Sequence, residues 1–575
     1  MCGFTGYFGK NLNNSKSVVS KMLKSINHRG PDHEGYYYSE NFHGGFCRLS
    51  IIDLTKSSNQ PFYINQNDNL ILFFNGEIYN YLELKKDLEI AGVKFRTSSD
   101  TEVLYNCILH FGIENFASHL IGMFSIVCYR PITNDVFLIR DQLGIKPLYF
   151  TEKKNNLYFS SETKAFNHLD LKLNKGKVVE YLSIGTNIGE ETMYDNVYSV
   201  LPGQLIKVSL NKKKQKLAYF KLLESFKEKR LRFHQDELDN LLSNTIAMHT
   251  RSDVKFGCQF SGGLDSSLLT SFVSKLERQK IKGFSVSVDH NFLDESIYQK
   301  SLSKLIGFNR SEVLFGINEF CDQSLLETYN FDFDFPLHHP NIVASNLLNE
   351  KASSEGFKVL LSGDGADEFF AGYSWQFDNT SNPDKIIENG SYIDRNLLIS
   401  SLNVSDDVDY SDLKRDLDSL SNNFDKQLFF DQYVYLQKWL TRQDRSGMRS
   451  SLELRVPFCS SNITTFINSL DFDIKTNHKN TTKFLLKKFA SKYLPNSIVN
   501  QKKVGFSIPI DDWFRSAKTN NLINFLLEDE TFDRGVFIKE KIKKIIELHK
   551  LKKANFGRIL WSLINFEIWC RKYFS

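Results

Sequence analysis

The spacing of apolar residues changes part-way along the chain. Up to about residue 210 the pattern is one of short strands. Leu70 to Phe74, Met123 to Tyr129, Val136 to Arg140 and Leu157 to Ser161 are apolar or alternating runs, and one helical stretch runs from Glu102 to about Phe111. Leu201-Pro202-Gly203-Gln204 turns the chain into a last hairpin, and the charged, weakly patterned stretch from Lys207 to Arg230 follows. Beyond it strands alternate with helices. Val254 to Phe260 reads as a buried strand, and Leu268, Leu269, Phe272, Val273 and Leu276 repeat at helical spacing. Phe284, Val286 and Val288 alternate as the next strand, Asp294 to Ile306 is helical, and short strands are predicted at Val313 to Phe315 and Phe357 to Ser362. Such alternation predicts a parallel doubly wound sheet whose ligand site lies at the carboxyl ends of its strands. Residues 376 to 425, rich in Asn, Asp and Ser, predict loops between helices, and Ile559 to Tyr573 predicts an amphipathic helix with Trp561 and Trp569 in the core. The expected organisation is a first domain over 2–210, a linker over 211–235 and a second domain over 236–575.

Composition narrows the class. A chain of 575 residues is too long for one core, and 41% apolar with 24% charged residues fits a soluble globular protein. The net charge of +4 and a single short basic run, Lys212-Lys213-Lys214 with Lys216, give no sign of nucleic-acid binding. Eight cysteines without CxxC or CxxH spacing argue against zinc and a disulfide framework and for a reducing compartment. No apolar run approaches about 18 residues, so no membrane partner is expected, and the first residues lack a signal peptide. A cytoplasmic protein is expected.

Two stretches carry candidate chemistry. Phe260-Ser261-Gly262-Gly263-Leu264-Asp265-Ser266-Ser267 sits between a strand and a helix. Gly262 and Gly263 let the backbone approach a ligand, N–H groups at the helix start point at an anion, and Ser261, Ser266 and Ser267 add hydroxyl donors. Asp265 cannot touch a phosphate directly and suggests a bridging Mg2+. The loop lacks the Lys-Ser/Thr ending of a Walker A loop, which disfavours ordinary γ-phosphate transfer. At the other end of the chain stands Met1-Cys2-Gly3. Once Met1 is removed, Cys2 carries a thiol and an α-amine whose pKa of ~7.7, against ~10.4 for Lys, suits a general base.

The motifs that follow Cys2 resemble a known family. His28-Arg29-Gly30-Pro31-Asp32, Arg48-Leu49-Ser50-Ile51-Ile52-Asp53, Asn75-Gly76-Glu77-Ile78-Tyr79-Asn80, Ser99-Asp100-Thr101-Glu102 and the run from Arg140 to Tyr149 appear in order, as in class II glutamine amidotransferase domains. The Ser261–Ser266 loop resembles that of the ATP pyrophosphatases, which cleave between the α- and β-phosphates. Together they make the chain look like a member of the glutamine-hydrolysing asparagine synthetase family, over almost its whole length. The resemblance implies an α/β two-domain fold: an Ntn-type αββα sandwich, then a doubly wound parallel sheet with added helices. It implies an oxyanion hole from the Asn75 side chain and the Gly76 N–H, the loss of one such donor costing ~10²–10³ in rate. Arg48 would grip the glutamine carboxylate through a planar fork, Asp100 would hold its ammonium group or cap the helix near Thr101, and Glu77 would complete the glutamine site. Arg29, Pro31 and Asp32 would shape a loop beside the pocket.

For the second half the resemblance places Phe260, Val286, Ser362 and Gly363 around adenosine, with Ser261, Gly262, Gly263, Asp265 and Ser266 completing the ATP site. Asp265 and Asp367 would hold Mg2+, and Lys483, opening a helix, would reach the pyrophosphate. Lys502 to Pro509 resembles a family loop near the same site, and Arg445-Ser446-Gly447-Met448 with Ser451 to Phe458 also has family character. Well-known members often carry Glu where this chain has Asp364, so a catalytic carboxylate is kept but drawn back by one methylene. Acceptor contacts are expected within Glu327 to Leu348, including Asp334, Pro336, His338, His339, Pro340 and Asn341. Three readings stay open: aspartate converted to asparagine, the same amidotransfer to another carboxylate such as a uronic acid of a surface polysaccharide precursor, and a glutaminase-only or regulatory relic. The first is favoured. A homodimer and an apolar ammonia passage from the region of Asn75 to that of Asp364 and Asp367 are also implied, for which the sequence offers Met123, Phe124 and Ile126 on the amidotransferase side.

Overall fold

The computed structural model describes residues 2–10, 15–64, 69–211, 213–276, 281–289, 296–404, 408–478, 481–501 and 508–574. Lys212, Asp294, Asn480 and the Lys502–Ser507 part of the expected site loop lie outside them.

The first half is two antiparallel sheets laid face to face. One runs His33–Tyr38, Phe42–Arg48, Cys2–Phe8, Asn156–Ser160, Tyr149–Lys153, Val197–Ser199. The other runs Lys214–Ala218, Gln204–Ser209, Asp135–Arg140, Gly122–Arg130, Ile71–Ile78. Alternation puts Phe4, Phe42, Phe46, Phe73, Val127 and Val136 in the seam between the sheets. The opposite face of the second sheet packs Phe74, Phe124 and Ile126 under the helices Tyr81–Ile90 and Asp100–Phe111, and the helix Ser15–Ser25 covers the first sheet. The layers are therefore α, β, β, α, as the resemblance implied. Within 211–235 the chain forms the edge strand Lys214–Ala218 and the helix Leu222–Lys227.

The second half holds a five-stranded sheet in the order Asn309–Phe315, Lys282–Val288, Phe256–Gln259, Val359–Leu361, Glu453–Arg455, with every neighbouring pair parallel. The order reverses at Phe256–Gln259, and a parallel sheet opens its ligand crevice at such a reversal. The run Ile559 to Tyr573 is helical, within Gly557–Tyr573, but it is not amphipathic. From Ile559 to Cys570 every side chain is buried, because the helix is wedged against Gln323–Phe333, Ile510–Arg515 and Asn520–Leu526. Its polar groups find buried partners: Trp561 Nε1 donates to Leu337 O at 2.7 Å, and Asn330 donates to Asn565 Oδ1 at 2.8 Å.

Several apolar clusters span the two halves. Leu49, Ile51, Ile52, Tyr79, Met123, Leu143 and Ile145 of the first pack with Met448, Val456, Phe458 and Cys459 of the second. Met123 is thus at the contact between halves. Phe124 and Ile126 are not: they point into the layer beneath the first half's helices, because successive strand residues face opposite ways.

Candidate active site

Cys2 opens a strand whose neighbours supply its surroundings. Cys2 pairs with Arg48 across the ladder and is 7% exposed. Its backbone N–H donates to Asn75 Oδ1 at 3.1 Å, and Asn75 Nδ2 donates in turn to Ser125 Oγ at 3.3 Å. Burial pushes the Cys2 thiol up. Gly76 admits no side chain: at φ +153° an added Cβ would lie 2.0 Å from Met123 O. Arg48, expected to grip the glutamine carboxylate, has all its Nη donors on its own loop in this structure. Its Nη1 donates to Thr55 O at 2.9 Å and Asn59 Oδ1 at 2.8 Å, and Nη2 to Ile52 O at 3.3 Å and to Asp53 O. The guanidinium thus holds the loop from Ile52 to Asn59 against the start of the site.

Beside this loop two carboxyl groups converge. Asp100 is the first residue of its helix, and the cap expected of it is made by Ser99, whose hydroxyl accepts from Thr101 N. Asp100 is free for another task and accepts from Ile78 N at 3.1 Å. Burial pushes its carboxyl up to about 6, against the Ile78 hydrogen bond. Glu77 is likewise buried, and burial with Glu453 nearby drives its carboxyl well above the usual range. Arg455 Nη2 is 3.6 Å away, and Glu77 Oε2 has no hydrogen-bond partner among the described residues. A cationic group entering between Glu77 and Asp100 would be strongly favoured.

The second constellation lines a cavity of about 550 Å³ at the reversal point of the parallel sheet. Ser261, Gly262, Gly263, Asp265 and Ser266 border it, joined by Phe260, Val286, Ser362, Gly363, Asp364, Asp367 and Lys483. All but one of the residues read from the sequence as the nucleotide loop and its surroundings therefore meet in one place. The Ser261–Gly263 turn is held from within: Ser266 Oγ lies 3.2 Å from Ser261 N, and Gly263 N donates to Ser261 Oγ at 3.3 Å. Gln299 Nε2 ties Ser261 O and Val286 O together at 3.2 and 3.3 Å. Ser267 is the exception: it is fully buried and does not border the cavity.

Lys483 joins the two glycine-rich loops. Its Nζ lies 2.5 Å from Asp265 Oδ2 and 2.7 Å from Asp367 Oδ1. Burial alone would favour the neutral amine, but these carboxylates hold Lys483 charged, with its pKa raised. It stands before the helix Phe484–Ala490 at φ +53°, so the anions expected at a helix-opening lysine are the two aspartates. Gly372 makes room for the triad, since an added Cβ would lie 1.8 Å from Asp367 Oδ1. Two carboxylates converging on one cation also form the hard-oxygen donor set that Mg2+ uses together with phosphate oxygens.

Family models match both halves. That for asparagine synthase matches residues 237–571, and that for a glutamine amidotransferase domain matches residues 1–220. The chain belongs to the asparagine synthase family. That makes it an enzyme of the glutamine-dependent carbon–nitrogen ligase class. It is 29% identical to asparagine synthetase [glutamine-hydrolyzing] 1 of Bacillus subtilis strain 168, covering 99% of this chain and 96% of that one. It is 28% identical to asparagine synthetase [glutamine-hydrolyzing] 2 of the same strain, over 93% of this chain and 76% of that one. A solved B. subtilis glutamine phosphoribosylpyrophosphate amidotransferase, complexed with ADP and GMP, covers 54% of this chain and 65% of its own at 18% identity. The TM-score is 0.31.

The stretch from which acceptor contacts are expected divides in two. His339 and Asn341 border the cavity. Asp334 does not: it accepts from the backbone N–H groups of Thr163 and Lys164 at 2.5 and 2.6 Å and pairs with Arg445 at 3.2 Å, pinning the two halves together. Pro336 O accepts from Tyr181 OH at 2.8 Å, and His338 is buried without a hydrogen-bond partner among the described residues. Neither reaches the cavity, and Pro340 does not border it.

Several cavity residues gave no sequence signal. Arg442 Nη2 donates to both oxygens of Asp364 at 3.2 and 3.0 Å, and Gln443 Nε2 donates to Ser362 Oγ at 2.9 Å and to Asp364. Both lie on the helix Leu436–Arg449, which follows a π-helical turn, Asp431–Tyr435. Glu368 is buried, accepts from Tyr373 OH at 2.8 Å, and is pushed up to about 8 by burial and by Asp367.

Proposed function

We propose that this ligase hydrolyses glutamine at Cys2 in its first domain and delivers the ammonia to an adenylated carboxylate, with aspartate as the leading acceptor. The observation that carries the reading is the triad in which Lys483 bridges Asp265 and Asp367, borne by the two glycine-rich loops around one cavity. The names of the full-length relatives support aspartate.

The residues take the following parts. The Cys2 thiol attacks the glutamine amide carbon while its own α-amine, freed by removal of Met1, takes the thiol proton and passes it to the amide nitrogen. The C–N bond breaks, ammonia leaves, and water then cleaves the thioester to glutamate and the free thiol. The developing oxyanion is met by the Asn75 amide and the Gly76 N–H. Glu77 and Asp100 hold the substrate's ammonium group; Arg48 shapes the wall facing its carboxylate. In the cavity an acceptor carboxylate oxygen bonds to the α-phosphorus of ATP as the bond to the β-phosphate breaks and pyrophosphate leaves. Ammonia then attacks the activated carbonyl, AMP leaves with its bonding electrons, and Asp364 is placed to take the surplus proton. Mg2+, held by Asp265 and Asp367, would neutralise phosphate charge that repels the incoming carboxylate. Lys483 supplies the remaining positive charge at the leaving pyrophosphate. The apolar cluster around Met123, Leu143 and Val456 is the natural wall for moving neutral ammonia between the sites.

Amidation of a larger carboxylate, such as a uronic acid, is the second reading. What favours it is the aromatic cavity wall of Tyr373, Tyr435 and Trp439 with His339, broad enough to stack on a ring. The intact Asp265–Lys483–Asp367 triad speaks against a glutaminase-only protein. The deciding experiment measures AMP release with ATP, Mg2+ and a panel of carboxylates. Aspartate-dependent AMP release above all other acceptors is expected. Release only with a uronic acid would transfer the assignment to the second reading, and ADP in place of AMP would remove both.

A further inference from the structure

Two side chains that border the nucleotide cavity carry N–H groups for which no described residue supplies an acceptor. His339 is the first. Its Nδ1 accepts from the backbone N–H of Asn341 at 3.1 Å, and since that amide can only donate, the ring proton sits on Nε2. Nε2 itself makes no hydrogen bond among the described residues. Arg442 is the second. Its Nη2 is spent on Asp364, but Nη1 and Nε have no acceptor among the described residues. Trp439, one turn before Arg442 on the helix Leu436–Arg449, packs against both. Its ring centre lies 6.0 Å from that of His339 and 4.7 Å from the Arg442 guanidinium carbon. All three residues border the cavity, as does Asp364.

The charges around His339 are positive. Burial pushes its imidazole down to about 3, and Lys438, Arg442 and Arg558 push it the same way. His339 is therefore a fixed, neutral donor, and the potential that keeps a proton away from it favours an anion. Two of the three cations have no ion pair among the described residues. Lys438 Nζ donates to Ile184 O at 3.3 Å and stands 3.5 Å from the centre of the Tyr435 ring. Arg558 lies over the ring of Tyr392 at 4.6 Å, and Tyr392 packs on His339 at 4.8 Å, so this exposed arginine is one ring removed from His339. The carboxyl groups that border the cavity are committed elsewhere: Asp265 and Asp367 to Lys483, Asp364 to Arg442, and Glu368 to the Tyr373 hydroxyl.

We propose that His339 and Arg442 form a subsite for a second anionic group on the acceptor, so that the carboxylate to be amidated must belong to a molecule carrying another oxyanion. The inference rests on the ligase reading and deepens it. The substrate class is a dianion, of which aspartate, with its α-carboxylate, is one case and a phosphorylated uronic acid another. Arg442 joins the two ends of the acceptor, since the guanidinium whose Nη2 holds Asp364 offers Nη1 to the second anion. A planar fork suits an oxyanion in this way.

The test measures kcat/KM for AMP release by the full chain with ATP, Mg2+ and ammonium salts, using acceptors in matched pairs. β-Alanine is aspartate without its α-carboxylate, and glucuronic acid is set against its anomeric phosphate. Within at least one pair the dianion should be favoured on the order of 10²-fold, the worth of two hydrogen bonds to a charged group. Preference for aspartate makes the second group a carboxylate; preference for the sugar phosphate makes it a phosphate. His339→Phe keeps a ring against Trp439 and Tyr392, removes the donor, and should lower the preference about tenfold. Arg558→Gln, at an exposed position where folding is not at stake, should lower it about two- to threefold through lost potential alone. Thermal unfolding checks that each variant is folded. Equal use of monoanion and dianion in both pairs, or folded variants that keep the full preference, would overturn the proposal. No AMP with any carboxylate would instead remove the ligase reading, and the subsite with it.

Discussion

Cys2→Ala should abolish glutamine-dependent amide synthesis and leave ammonia-dependent synthesis intact. The expected loss is on the order of 10⁶-fold, the scale seen when a covalent nucleophile is deleted. The reason is spatial. Cys2 is buried between the first half's sheets, on Asn75, and the residues that border the nucleotide cavity come from the second half. On the proposed reading, the only thing the second site takes from the first is ammonia. Comparing AMP release with glutamine and with ammonium salts checks this. A folded Cys2→Ala protein that loses both activities would contradict the division of labour.

Lys483→Ala should have the complementary effect, a fall of ~10²–10³ in AMP release with either nitrogen donor, while hydrolysis of glutamine without nucleotide continues. Two effects add. The substitution removes the cation that would meet the pyrophosphate, and it leaves Asp265 and Asp367, which now converge on one Nζ, repelling each other. Losing one partner of a buried ion cluster also costs about 3–5 kcal/mol of stability. Thermal unfolding should be followed alongside, and Lys483→Arg, which keeps the charge, separates the two effects. Loss of glutamine hydrolysis together with AMP release in a folded variant would count against the assignment.

Much of this was legible in the sequence because both sites are built from local features. The turn from Ser261 to Gly263 needs glycine and small hydroxyl residues at fixed offsets, and a parallel sheet brings its strand ends together, so Ser362 and Gly363 come beside Asp265. Lys483 was legible through the family resemblance, and a cation opening a helix, which asks for an anion, supported it. What the sequence concealed depends on long-range packing. Arg442 and Gln443 sit in a polar stretch whose period marks a helix but not which face meets the cavity. Asp334 looked like an acceptor contact and is a clasp on Thr163 and Lys164, separated from them by about 170 residues. Phe124 and Ile126 were assigned to the passage along with Met123, yet strand alternation sends them the other way. Arg48 was expected to grip the glutamine carboxylate, and its guanidinium also carries the loop from Ile52 to Asn59. The final helix is buried on all sides because three other helices surround it, which its own periodicity could not show.

The central claim is that ammonia made at Cys2 is spent inside the same molecule, at the cavity bounded by Asp364 and Asp367. The most direct measurement supplies glutamine labelled with nitrogen-15 in its amide, with excess unlabelled ammonium in the medium at a pH where free ammonia is scarce, and reads the isotope in the product amide by mass spectrometry. The account predicts that nearly every product amide carries the glutamine label. Product diluted in proportion to the ammonium in the medium would show that ammonia equilibrates with solvent between two independent sites, and would contradict it.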